Sequence, residues 1–146
     1  MELLIHFLFS LIATITFAVL TNVPKRALLA CGLTGALGWL TFWLLKDLST
    51  GPTFANFLGA GVIGITSVFF SRKLKMPMII FNIPSLVPLV PGGPAYQAVR
   101  SFVLGDLTGG VNQMMVVIAT AGAIAAGFMA TTLVENILKA LRRQRT

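Results

Sequence analysis

Four apolar runs, each about long enough to cross the hydrocarbon of a bilayer as a helix, constrain this chain more than any other feature. At about 1.5 Å per residue, a helix needs roughly 20 apolar residues to span a core of about 30 Å. The runs from Leu3 to Leu20, Ala27 to Leu45, Phe54 to Phe70 and Val111 to Leu138 approach or exceed that length. A further apolar stretch, 76–104, is interrupted by prolines. Of the 146 residues, 56% are hydrophobic and 10% charged, and the mean hydropathy is +0.90. A soluble domain carries about 25% charged residues, and a chain this short cannot bury so much apolar surface in one core. The expectation is an all-α membrane protein, one transmembrane domain over 1–146 with about five helices and the lipid bilayer as its surroundings.

Charge placement supplies the direction. The net charge of +7 would suit nucleic acid, but the basic residues lie between or after apolar runs, where membrane orientation requires them. No nucleic-acid partner is expected. Lys25 and Arg26 follow the first run, and Arg72, Lys73 and Lys75 follow the third. Lys139, Arg142, Arg143 and Arg145 follow the last, while only Lys46, beside Asp47, and Arg100, near Asp106, fall in the other connections. With five crossings, nine of the eleven basic residues share one side. That side is expected to be cytoplasmic, with the N-terminus outside and the C-terminus inside. A re-entrant fourth segment would put the basic tail outside, against the rule. No basic region precedes the first run and no small-residue cleavage site follows it, so a removable signal peptide is not expected. Cys31 is the lone cysteine, which leaves no intrachain disulfide.

Small residues recur at helix-packing spacing. Gly32 and Ala36 are four apart, Gly35 and Gly38 three apart, and Ala60 and Gly64 four apart. The last run carries two stripes, Gly122/Ala126/Ala130 and Ala123/Gly127/Thr131. Such spacing lets backbones approach and gain dispersion contacts that lipid cannot match. It serves either packing within one subunit or a face for another, a homo-oligomer included, and the last run is the expected place for such a face.

The most informative stretch is Asn82 to Tyr96, with prolines at 84, 88, 91 and 94. Each lacks an amide hydrogen and clashes with the carbonyl four residues earlier, here those of Ile80, Pro84, Val87 and Val90. A regular helix cannot continue through all four. Met76 to Val90 would reach only roughly 22 Å as a helix, so the break is expected at membrane depth or near one surface. Irregular backbone there must be buried in protein or line a wet cavity. A new helix is expected near Pro94, with Gly92-Gly93 as the turn and Ala95, Val99, Phe102 and Val103 on one face. Its free amides and positive dipole end would suit a carboxylate, the logic of discontinuous helices in secondary transporters. The candidate substrate-binding residues are Asn82, Pro84, Ser85, Pro88, Pro91, Gly92, Gly93, Pro94, Tyr96 and Arg100. A proline kink that merely shapes the bundle is the alternative.

The run Val90 to Ala98 (Val-Pro-Gly-Gly-Pro-Ala-Tyr-Gln-Ala), preceded by Ile83-Pro84, resembles the signature region of threonine/serine exporters of the ThrE type. Asn22-Val23-Pro24-Lys25-Arg26-Ala27, followed by the glycine-rich second run, is also similar. The chain most resembles the short subunit of two-component members, which corresponds to the C-terminal membrane half of single-chain exporters. The resemblance implies export of threonine, serine or a small dicarboxylate such as succinate, driven by an ion gradient. It implies a larger partner membrane chain and a multi-pass location in a bacterial plasma membrane, the cell inner membrane.

Other polar residues allow two roles each. Lys25 and Arg26 either set topology or collect anionic substrate. Arg100 either meets a substrate carboxylate or pairs with Asp106. Glu135 either pairs with Lys139, one turn on, or acts as a proton-coupling carboxylate. His6 is expected at the outer interface, and Trp39 and Trp43 form an aromatic belt there. Asn56, Asn112 and Gln113 are expected to make capping or interfacial contacts. The chain has no cluster of metal ligands, no phosphate-binding glycine motif and no serine–histidine pair with a third member. Neither an enzyme nor a cofactor is therefore expected. A membrane scaffold or assembly subunit that moves nothing is the competing function.

Overall fold

The computed structural model describes residues 1–46 and 51–143, with the side chains of the last helix described as far as Ile137. Among the described residues six helices follow one another: α1 Glu2–Leu20, α2 Lys25–Leu45, α3 Gly51–Leu74, α4 Ile79–Ser85, α5 Gly92–Val103 and α6 Leu107–Arg143. Among the described residues there is no strand. Four stretches, Glu2–Leu20, Lys25–Leu45, Gly51–Leu74 and Leu107–Ile137, are long and apolar enough to cross a membrane. The expected breaker lies partly outside the described residues at Ser49 and Thr50, and Asp47, Arg145 and the side chains of Lys139, Arg142 and Arg143 lie outside them too.

Small residues set the helix pairings. A Cβ on Gly35 would meet the Thr14 side chain at 2.2 Å, so α1 and α2 touch almost backbone to side chain. A Cβ on Gly38 would meet Ile63 at 2.4 Å, and one on Gly59 would lie 3.0 Å from the Gly38 carbonyl. Helices α1, α2 and α3 thus run alternately up and down. Helix α6 breaks the alternation. Gly127 faces the Phe57 carbonyl and Ala60, Thr131 faces Gly64, and Glu135 meets Arg72. Residue numbers rise together along both helices, so α3 and α6 are parallel, and residues 75–106 return the chain to the opposite end.

That return is discontinuous. Helix α4 packs on α1, α2 and α3, whereas α5 packs on α6 alone. Phe81 stacks on Phe70 at 6.3 Å between ring centroids, and Leu89 reaches Gly59, so the segment climbs antiparallel to α3. The parallel register puts Gly51 level with about Ile118. The first eleven residues of α6 therefore extend about 16 Å beyond the start of α3, with α5 beside them as an antiparallel hairpin.

Helix ends follow local chemistry. Asn22 adopts φ +56°, Val23 N–H donates to Ala18 at 2.9 Å and Asn22 N–H to Val19 at 3.0 Å, the double closure of a Schellman end. Asn tolerates that left-handed conformation better than most residues. Gly105 (φ +84°) ends α5 in the same way. Asp106 then accepts the Gly109 N–H at 2.9 Å and caps α6. Asp106→Ala is expected to cost about 1 kcal/mol, seen as faster amide exchange at the start of α6 with the α1–α3 amides unchanged.

Two details of the α5 expectation are corrected. Helix α5 begins at Gly92, with Pro91 as N-cap and Ala95 N–H donating to the Pro91 carbonyl at 3.1 Å. Gly92-Gly93 are therefore part of its first turn, and Pro94 is tolerated there because first-turn amides have no intrahelical partner. The buried position is Ala98, while Val99 and Val103 are exposed. The face against α6 runs through Ala98 and Phe102, the latter seated on Gly110. Contact with α6, rather than the widest apolar stripe, decides that face.

Candidate functional site

The proline-rich segment divides into a half built into the α1–α4 packing and a half carried on α5. In the first half, Pro84 cannot donate to the Ile80 carbonyl, and the Cys31 thiol donates to that carbonyl instead, Sγ to O 3.4 Å. Ser85 returns a bond from its hydroxyl to the Cys31 carbonyl at 3.1 Å. This reciprocal pair ties α4 to α2 where the backbone would otherwise be short of partners. Farther on, the Pro84 carbonyl accepts from Val87 and the Val90 carbonyl from Gly92. The break is thus an ordered run of turns.

Among the described residues, two buried oxygen atoms lack a protein partner, Ser67 Oγ and Asn82 Oδ1. Ser67 is fully buried on α3. Hydroxyls of Ser10, Thr14, Thr34 and Thr131 bond back to the carbonyl four residues earlier, but that of Ser67 does not. The two atoms occupy one level of the α3–α4 interface. On one side of that level Phe70 stacks on Phe81, and on the other Ile63 and Leu86 share an apolar cluster. Unpartnered buried oxygens are costly unless water or another polar guest serves them.

Two grooves of about 210 Å³ lie along the α1–α4 seam. The first lies at the end bearing Lys25 and Arg26 and is lined by Thr21, Asn22, Val23, Pro24, Ile79, Ile80, Ile83 and Pro84. The second lies toward the opposite end, lined by His6, Phe9, Ser10, Ala13, Trp39 and Pro88. Pro84 walls one and Pro88 the other, with buried Ser85 between them. At the mouth of the second, Trp39 Nε1–H donates to His6 Nδ1 at 3.3 Å and the His6 ring lies 4.8 Å from that of Trp43. The aromatic pair and the histidine therefore form one cluster at the same end of α1 and α2.

The candidate residues consequently separate. Pro84 and Pro88 line the seam grooves, Ser85 is bonded to α2 between them, and Asn82 lines neither groove. Pro91 and Pro94 are half-buried, Gly92 and Gly93 have open space on their Cβ side, and Arg100 is exposed. Tyr96 is 68% exposed. These belong to the α5–α6 hairpin, and α5 makes no packing contact with α1–α4. The Asp106 carboxylate caps α6 rather than pairing with Arg100. Asn56 is buried and its amide donates to the Pro52 carbonyl at 2.9 Å, a local bond rather than an interfacial one. Glu135 lies on α6 away from the seam, with Arg72 at 3.3 Å, and the expected pairing with Lys139 lies outside the described residues. Ser67 and Cys31 carry no sequence signal of their parts here, since both sit in ordinary apolar helical pattern and act through a helix distant in sequence.

A family model described as Threonine/Serine exporter, ThrE, matches residues 6–134. An uncharacterized protein of Haemophilus influenzae (strain ATCC 51907 / DSM 11121 / KW20 / Rd) is 35% identical over 103 residues, 70% of this chain and 35% of that protein. The chain thus spans about a third of the length of that relative. No solved structure matches it.

Proposed function

Since the chain belongs to the threonine/serine exporter family, a family of transporters, we propose that it is one membrane subunit of a secondary exporter that works with a larger partner membrane chain. Its solutes are threonine, serine or a small dicarboxylate such as succinate, and an ion gradient drives them out of a bacterial cell through the plasma membrane. The observation that carries this reading is the pair of grooves on one seam, one nearer each end, walled by Pro84 and Pro88 of the proline-broken segment. Alternating access needs such a divide, and a segment of short helices and turns can change its packing at lower cost than a continuous helix.

The proposed topology has five traverses, the fourth being residues 76–104, with the N-terminus outside. Lys25, Arg26, Arg72, Lys73 and Lys75 sit at the same end of the helices, which favours that end as cytoplasmic. Two features support a partner. The Haemophilus relative is about three times as long as the matching region, and the Gly122/Ala126 stripe of α6 is exposed. A scaffold role is distinguished by efflux. A strain lacking this chain, loaded with threonine, serine or succinate, is expected to retain at least one of them, and the restored chain to release it. Unchanged efflux of all three in the deleted strain would favour the scaffold.

A further inference from the structure

Basic residues mark both ends of α2, Lys25 and Arg26 at one and Lys46 at the other, with none between. The 21 residues of this helix rise about 31 Å, which matches a hydrocarbon core of about 30 Å. Lys46 Nζ stands 5.7 Å from the Trp43 ring centroid, as at a membrane–water interface, where tryptophan is enriched. Helices α2 and α3 are antiparallel and touch at Gly38 and Gly59. Lys46 is eight residues past Gly38 and Gly51 eight before Gly59, so the two share one level. The parallel register puts Ile118 of α6 there too, and this level is one edge of the hydrocarbon. The headgroup layer adds about 5–8 Å beyond it. The α5–α6 hairpin continues for about 16 Å, roughly twice the headgroup depth, so its tip stands in water. The tip is nevertheless apolar. Val103 and Leu104 at the turn, and Leu107 and Val111 on successive turns of α6, are each 52–81% exposed. Among the described residues α6 packs on α3 and α5 alone.

We propose that this tip binds the same tip of a second copy of the chain, α6 beside α6. Apolar surface held in water marks a protein contact, and lipid does not reach this height. Whatever covers the tip must itself present an apolar face about 16 Å above the hydrocarbon. A second copy inserted in the same direction puts its own Leu107 and Val111 at that height. The two α6 helices are then parallel about an axis along the membrane normal, in the two-fold symmetry commonest among oligomers. Identical residues face each other across such a seam, so any charge on it would meet its like. Helix α6 carries no charged residue from Leu107 to Val134. Leu107, Val111 and Met115 recur at every turn, and apolar side chains so spaced are what two helices bury between them in water. Below Ile118 lipid serves the helix, and the Gly122/Ala126 stripe stays available to the larger chain. The pairing does not depend on what the chain transports.

Cysteine cross-linking in isolated membranes from cells making the full chain tests the pairing. Under a mild oxidant, Leu107→Cys and Val111→Cys are expected to give a disulfide-linked species of twice the 15.6 kDa chain mass. The wild type, whose lone Cys31 is buried, is expected to give none. The same holds for Val99→Cys, exposed on α5 at a similar height. All three replaced side chains are exposed, so the fold tolerates each change. In mild detergent the wild type is expected to have twice the protein mass of the double variant L107E/V111E, which sets like charges against each other. Adducts of Leu107→Cys or Val111→Cys with a chain of another mass would overturn the inference in favour of a different partner. No adduct from either, an unchanged mass for the double variant, or Val99→Cys cross-linking as readily would overturn it too.

Discussion

Gly127→Val is expected to abolish the folded chain, whereas Gly122→Val on the same helix leaves its fold and melting temperature unchanged. A Cβ at Gly127 would sit 2.5 Å from the Phe57 carbonyl oxygen, 2.9 Å from the Ala60 Cβ and 3.2 Å from the Gly61 nitrogen. Two of those three atoms are backbone, which cannot rotate aside. Helix α3 would have to shift away from α6, and the Gly64–Thr131 contact and the Arg72–Glu135 pair would go with it. Overpacking costs about 1–3 kcal/mol where side chains can yield, and here they cannot, so the upper end or beyond is expected. That is a large part of the roughly 5–15 kcal/mol by which folded proteins are stable. At Gly122 nothing lies within 4 Å of the added atom. Membrane abundance and thermal melting in mild detergent compare the two. A Gly127→Val chain that melts with the wild type would refute the parallel α3–α6 contact.

The second large effect has the opposite sign on stability. The double variant S67A/N82L is expected to melt at a higher temperature than the wild type and to export at least about tenfold more slowly, a rate loss equal to about 1.4 kcal/mol in barrier. Both replaced oxygens are buried and lack a protein partner, and a buried unsatisfied polar group costs about 1–3 kcal/mol. Ser67→Ala removes one hydroxyl in a fully buried position, and leucine keeps the heavy-atom count and branching of Asn82 without its polar atoms. Groups that lower stability are retained where function needs them, and these two lie on the broken segment and on the helix it packs against. Melting in detergent and efflux from loaded cells give the two readouts. A lower melting temperature with unimpaired efflux would make both atoms structural.

The helical content is legible in the sequence because lipid as a solvent allows few answers. The run Leu3 to Leu20 lies within α1, Ala27 to Leu45 within α2 and Phe54 to Phe70 within α3. Pro88 and Pro91 lie in the interval between α4 and α5, where a missing amide hydrogen acts through the chain's own covalent geometry, whereas Pro84 lies inside α4 and Pro94 in the first turn of α5. Trp39 and Trp43, one turn apart, also meet at one end, since spacing on a single helix is a local property.

Partner choice between helices was not legible. Both small-residue stripes of α6 satisfy the same spacing, yet Gly127 and Thr131 are buried against α3 while Gly122 is open. Nothing near Glu135 in sequence points to Arg72, and nothing near Tyr96 or Arg100 separates them from Ser85. The amino-acid order alone determined that this chain is helical, that it lives in lipid and where its helix must break. The tertiary structure alone decided that α3 and α6 run parallel, that the seam is parted at Ser85 and that α5 leaves it to pack on α6. Helices in lipid gain little from hiding apolar surface from one another, so shape match between distant faces chooses the neighbours. That match is a property of pairs of surfaces and is not written in the periodicity of either one.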